Sequence, residues 1–124
     1  MTTELEIWLA EEAIVKANMA SGPGEGIASR DQIAGLTGLE MMQSLLNGKL
    51  PSVPIANTLD FCLIHLDDGK SIFQGTPKSA HLNPLGTIHG GWISTLLDSA
   101  LGCAVHTKMP VGRGYTTAEL SVNM

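Results

Sequence analysis

The stretch Asn83-Pro84-Leu85-Gly86-Thr87-Ile88-His89-Gly90-Gly91, with the apolar run 92–108 behind it, decides how the rest of the chain is read. Pro84 and Gly86 tighten a turn that carries Asn83 and His89. In the run that follows, Ile93, Leu96, Leu97, Ala100, Leu101, Ala104 and Val105 recur at helical spacing, which predicts a helix over 92–108. Asp98 is its only charge before Lys108. A helix start offers free backbone N–H groups and the positive end of a dipole. Gly90 and Gly91 leave those groups open to a ligand. Two polar side chains and a bare helix N-terminus therefore come together in sequence, with one carboxylate further along.

Composition bounds the function. The chain has 124 residues, enough for one domain, of which 44% are hydrophobic and only 15% charged. That supports a single core and argues against global disorder. A net charge of −5 argues against a nucleic-acid partner, which calls for a basic stripe. The N-terminus lacks the pattern of a signal peptide, and no apolar run approaches the ~20 residues of a membrane span. No membrane association is expected. Cys62 and Cys103 show neither metal nor redox spacing, so a reduced, cytoplasmic location is the expectation.

Outward from the central stretch, helix starts recur. Thr3 with Glu6, Ser29 with Gln32 and Thr37 with Glu40 each form a capping-box pattern. They predict an amphipathic helix within 1–20, a short helix after Ser29, and a third ended by Gly48. Residues 21–26, rich in Gly with Pro23, read as a linker, and Pro51 and Pro54 as an extended connector. Residues 58–66 and 71–76 read as strands joined at Asp67-Asp68-Gly69, a hairpin. Beyond the central helix, 115–123 alternates: Ala118, Leu120 and Val122 on one face, Thr117, Glu119, Ser121 and Asn123 on the other. That pattern predicts a half-buried strand. The fold class expected is α+β.

Each candidate residue has a plain reading beside a chemical one. Asp98 is either a solvated helix residue or a general base or nucleophile. Its helical neighbours Gly91, Ser94, Thr95 and Gly102 are small and leave room for a ligand. His89 is either a capping or core histidine or a ligand-facing one. Asn83 suits a turn, and Gly90 suits close packing. Gly90 also suits a backbone N–H aimed at a carbonyl oxygen, as in an oxyanion hole. His81, His89, Asp98 and His106 match no zinc spacing, so no metal is expected. No nucleophile elbow, P-loop or dinucleotide fingerprint is present.

Asn83-Pro84-x-Gly86-x-x-His89-Gly90-Gly91, followed by Leu97-Asp98-Ser99-Ala100, resembles the hotdog-fold acyl-CoA thioesterases of the phenylacetate-degradation type. Residues 114–123, beginning Gly114-Tyr115-Thr116-Thr117, resemble the strand after that family's helix. The resemblance covers residues 39–124, leaving 1–38 as a helical N-terminal extension. It implies a hotdog fold, an antiparallel sheet wrapped around a long central helix. Three more strands follow in the family, so the domain is expected to be incomplete at its C-terminus. The implied substrate is an acyl-CoA, hydrolysed without metal or cofactor by a homodimer or homotetramer. Gly90 would polarise the thioester carbonyl, and His89 and Asn83 would position the substrate and the leaving sulfur. Gly91 and Thr117 would belong to the substrate site, Thr117 holding the water. Asp98 would come from the neighbouring subunit and either activate water or attack directly. Two other readings stand beside this one: a non-catalytic acyl-CoA-binding hotdog protein, and an inactive remnant.

Overall fold

The computed structural model describes residues 1–124. Helix α1 spans Glu4–Ala20, α2 Arg30–Ile33, α3 Gly38–Leu46, α4 Pro54–Leu59 and α5 Gly90–His106, with strands β1 at Phe61–Asp67 and β2 at Lys70–Gly75 between α4 and α5. The α+β expectation holds. No helix is long and apolar enough to cross a membrane.

All three predicted capping boxes form. At α1 the Thr3 hydroxyl accepts from the Glu6 N–H, and the Glu6 carboxylate accepts from the Thr3 N–H at 2.7 Å. Ser29 with Gln32 and Thr37 with Glu40 repeat the arrangement. Each satisfies donors that a helix start leaves orphaned.

Two local expectations fail. Residues from Pro54 onward form helix α4, not an extended connector, and β1 starts only at Phe61. Pro54 occupies the first turn of α4, where its missing N–H costs nothing and its fixed φ favours the helix. Residues 115–123 form no strand. Their alternation marks side chains that face two ways, but a strand also needs a backbone partner. No main-chain hydrogen bond joins this segment to any other, and nearly all its residues are exposed.

The hairpin is antiparallel, pairing Phe61 with Gly75 through to Asp67 with Lys70, with an irregularity between Leu63 and His65. Gly69 turns the chain with a φ of +77°, a conformation glycine adopts without strain. Leu63 and Leu66 of β1 pack with Met42 and Leu45 of α3 and with Leu50, and Cys103 of α5 and Phe73 of β2 border this core. Phe61 meets the rings of Phe73 and Trp92 edge-on at 6.0 and 6.3 Å. The Trp92 indole N–H donates to the Leu59 carbonyl at 2.7 Å, tying the start of α5 to the end of α4.

Helix α1 packs on the same hairpin. Glu12 is buried, accepts from the Gln74 amide at 2.8 Å and pairs with Lys16 at 2.7 Å. Lys16 reaches on to Asp60, which also binds Lys78. The carboxylate contacts of Lys16, Glu12 first, hold its ammonium above the usual lysine range. The Lys78 contact, seconded by Lys16, holds Asp60 below the usual carboxylate range.

On α5 the apolar positions divide. Trp92 is buried against the hairpin side, but Leu97, Leu101 and Val105 are 40%, 59% and 47% exposed. Helical periodicity predicts an apolar surface on the helix; this part of it faces outward.

Candidate functional site

The predicted residues fall into two groups at different points along α5. The first is the turn before the helix. Asn83 Oδ1 accepts from the backbone N–H groups of Leu85 and Thr87 at 3.0 and 3.2 Å, and its amide donates to the Thr87 hydroxyl at 2.7 Å. Asn83 thus organises the turn, the plain role for this residue type. His89 caps α5: its Nδ1 accepts from the Gly91 N–H at 2.8 Å. That bond consumes the Gly91 donor and fixes the tautomer with the proton on Nε2, and the ring is exposed.

The Gly90 N–H has no protein acceptor. A Cβ at Gly90 would lie 3.0 Å from the Met124 methyl and 3.3 Å from its sulfur, so only a flexible side-chain end stands over it. The first group therefore offers one unspent backbone donor at the positive end of a 17-residue helix.

The second group lies two turns further along. Asp98 Oδ1 accepts from the Thr117 hydroxyl at 2.9 Å. Both residues line a cavity of about 250 Å³ whose remaining wall is largely apolar, with Phe61, Leu63 and Phe73 from the hairpin. Tyr115 also lines it, and a Cβ on Gly102 would come within 2.1 Å of the Tyr115 hydroxyl oxygen, so the absent side chain makes room for the phenol. Burial first, then the neighbouring Cys103 and Asp98, raise the Tyr115 phenol above its ordinary range, keeping it a proton donor.

Burial pushes the Cys62 and Cys103 thiols, both in the same wall, up to about 11. They stay protonated at neutral pH and are poor nucleophiles. Asp98 is the one carboxylic acid among the cavity's side chains.

Within one chain the two groups do not converge. Eight residues separate Gly90 from Asp98, about 12 Å along a helix. Two other histidines are held by structural contacts: His81 is buried, its Nδ1 accepts from the Lys78 N–H at 2.9 Å, and its Nε2 meets the Thr58 carbonyl at 3.2 Å. His106 packs its ring against Tyr115, and burial lowers its pKa.

Sequence reasoning passed over Tyr115 and the N-terminal side chains Met19, Val53 and Ile55 as cavity residues. Gly102, a buried small residue one helical turn from Asp98, is the available signal for Tyr115; the others depend on how α1 and α4 pack.

Residues 85–123 match the family model described as the Thioesterase superfamily. The matched segment holds His89, Gly90, Asp98 and Thr117 and begins two residues after Asn83. A curated protein of Verminephrobacter eiseniae (strain EF01-2), named holo-[acyl-carrier-protein] synthase, is 32% identical over 83 residues, covering 64% of this chain and 63% of that protein. The chain thus spans less than two thirds of that relative's length. No solved structure matches.

Proposed function

We propose that this chain is a cytoplasmic hotdog-fold thioesterase of the phenylacetate-degradation type that hydrolyses an acyl-CoA to the free acid and CoA. The observation that carries the reading is the Asp98 carboxylate, held by Thr117 in the wall of an apolar cavity. A water oxygen adds to the thioester carbonyl carbon while Asp98 takes its proton. The oxyanion that forms accepts from the Gly90 N–H, which has no acceptor of its own. The C–S bond then breaks, and the CoA thiolate leaves with the proton. Thr117 occupies one oxygen of Asp98, leaving the other for the water.

The separation of about 12 Å along α5 favours a site shared between two copies. One copy supplies Gly90, with His89, Asn83 and Gly91 positioning the substrate, and the other supplies Asp98 and Thr117. The exposed stripe of Leu97, Leu101 and Val105 flanks Asp98 and suits cover by a second copy, in a homodimer or a homotetramer.

The curated relative's name concerns acyl carrier protein. A thioester carried there presents the same bond, so both carriers belong in the test. Thiol release from octanoyl-CoA and octanoyl-acyl carrier protein is measured for the wild type and Asp98→Asn. The substitution is expected to lower kcat by ~10²-fold with a smaller change in KM. An unchanged kcat removes Asp98 from the chemistry. Wild-type binding without turnover replaces the hydrolase with a non-catalytic acyl-CoA binder.

A further inference from the structure

We infer that the N-terminal elements set acyl specificity: the cavity beside Asp98 takes an unbranched acyl chain of about eight to ten carbons, and Met19, Val53 and Ile55 close it against longer ones. This rests on the reading of Asp98 as the group that faces the thioester, and adds the length of the substrate and the residues that measure it.

The walls come from the whole chain. Beyond the hairpin and α5, Met19 at the end of α1, Leu45 of α3, Val53 at the N-cap of α4 and Ile55 within it line the cavity. Residues 1–38, without a catalytic motif of their own, thus reach the site through Met19.

Polarity orients the ligand. The polar lining is Asp98, Ser99, Tyr115 and Thr117, together with Asn57. The Asn57 amide already donates to Glu25 at 3.1 Å and to Ser52 at 3.0 Å. A thioester carbonyl therefore belongs beside Asp98, Thr117 and Tyr115, with methylenes along the apolar walls. The reverse pose leaves a polar group unpaired among aliphatic side chains and sets a carboxylate against hydrocarbon.

Volume sets the length. An apolar cavity of 150 Å³ accommodates benzene, so one of about 250 Å³ holds about ten carbon atoms at the same fit. Cys62 and Cys103, protonated, add to the apolar wall as small hydrophobes. Val53 and Ile55 are 38% and 48% exposed, so they stand between the cavity and solvent. Larger side chains there can narrow the cavity without entering the core.

The test uses S-alkyl-CoA thioethers, which bind without being cleaved, in a series from about two to about fourteen carbons. Calorimetry measures their affinities for the wild type, Ile55→Trp and Val53→Trp, with circular dichroism confirming that each variant folds. Wild-type affinity is expected to rise about fourfold per methylene up to eight to ten carbons and then level off. Either tryptophan should move the break to shorter chains and weaken the ten-carbon analogue by about tenfold or more; if only one variant folds, that one decides. A rise that continues to the longest chain, or a wild-type profile in the folded variants, overturns the assignment. Failure of the hydrolase reading looks different: the length profile appears as described, and octanoyl-CoA stays uncleaved.

Discussion

The two ends of the site lie on one helix and are built in opposite ways. At the start of α5, Asn83 Oδ1 and His89 Nδ1 accept from the local backbone, and the Gly90 N–H is left without an acceptor. In the middle of α5, Asp98 has a single side-chain partner and faces an apolar cavity. The first end is tied up by its own backbone; the second sets a carboxylate against an apolar wall. The difference shows that closeness in sequence says little about closeness in space on a helix, where eight residues amount to about 12 Å.

The comparison can be broken by removing each end's own partner. Thr117→Val deletes the donor to Asp98 while keeping the side chain's shape. The account expects kcat to fall about tenfold, the equivalent of about 1.4 kcal/mol, with the melting temperature unchanged, because Thr117 is exposed. Stopped assays beside a thermal melt decide it: a lower melting temperature with normal kcat would make Thr117 a structural residue only.

At the other end, His89→Ala removes the cap of α5. Loss of a cap costs about 1 kcal/mol, so urea unfolding should show that destabilisation together with a raised KM. No change in stability would mean that the Nδ1 contact to Gly91 contributes nothing to folding.

Gly102→Ala sharpens the contrast from below. The added methyl collides with the Tyr115 hydroxyl, whereas alanine favours the helix by about 1 kcal/mol over glycine. The two effects are expected to offset, leaving global stability within about 1 kcal/mol of the wild type, while the tyrosine's fluorescence reports a more polar setting. A large destabilisation would show that the segment after α5 is integral to the core.

The smallest effect is on pH. Burial lowers the His106 pKa in the folded state below its ordinary 6.5. The unfolded chain therefore binds the proton first, and stability falls as pH drops below about 6.5, until the folded imidazole also protonates. His106→Gln should flatten melting temperature against pH between about 7.5 and 5.5. An unchanged slope assigns it to other groups.

Much of the fold is legible where signals are local. Thr3 with Glu6, Ser29 with Gln32 and Thr37 with Glu40 mark helix starts because a cap is made within four residues. The hairpin is legible because Asp68 and Gly69 bring β2 back on β1. Residues 115–123 mislead because alternation describes side chains and says nothing about a backbone partner. Pro54 misleads because a proline that ends one element also starts another. That Asp98 borders open space is legible from its small neighbours on α5, and the structure adds its contact with Thr117. Met19, Val53 and Ile55 are not legible as cavity residues, because their place depends on how α1 and α4 pack against α5.

The central claim is that the two ends of α5 complete each other between chains. It is tested most directly by mixing Asp98→Ala chains with His89→Ala chains under conditions where subunits exchange and measuring hydrolysis of octanoyl-CoA. Each hybrid dimer holds one site with both groups intact, so at substrate below the KM of His89→Ala the mixture should exceed the sum of the two variants measured apart, gaining up to about a quarter of wild type for random pairing of equal amounts with complete exchange. Subunit exchange, verified by mass, without any recovery would contradict the account and place the whole site within one chain.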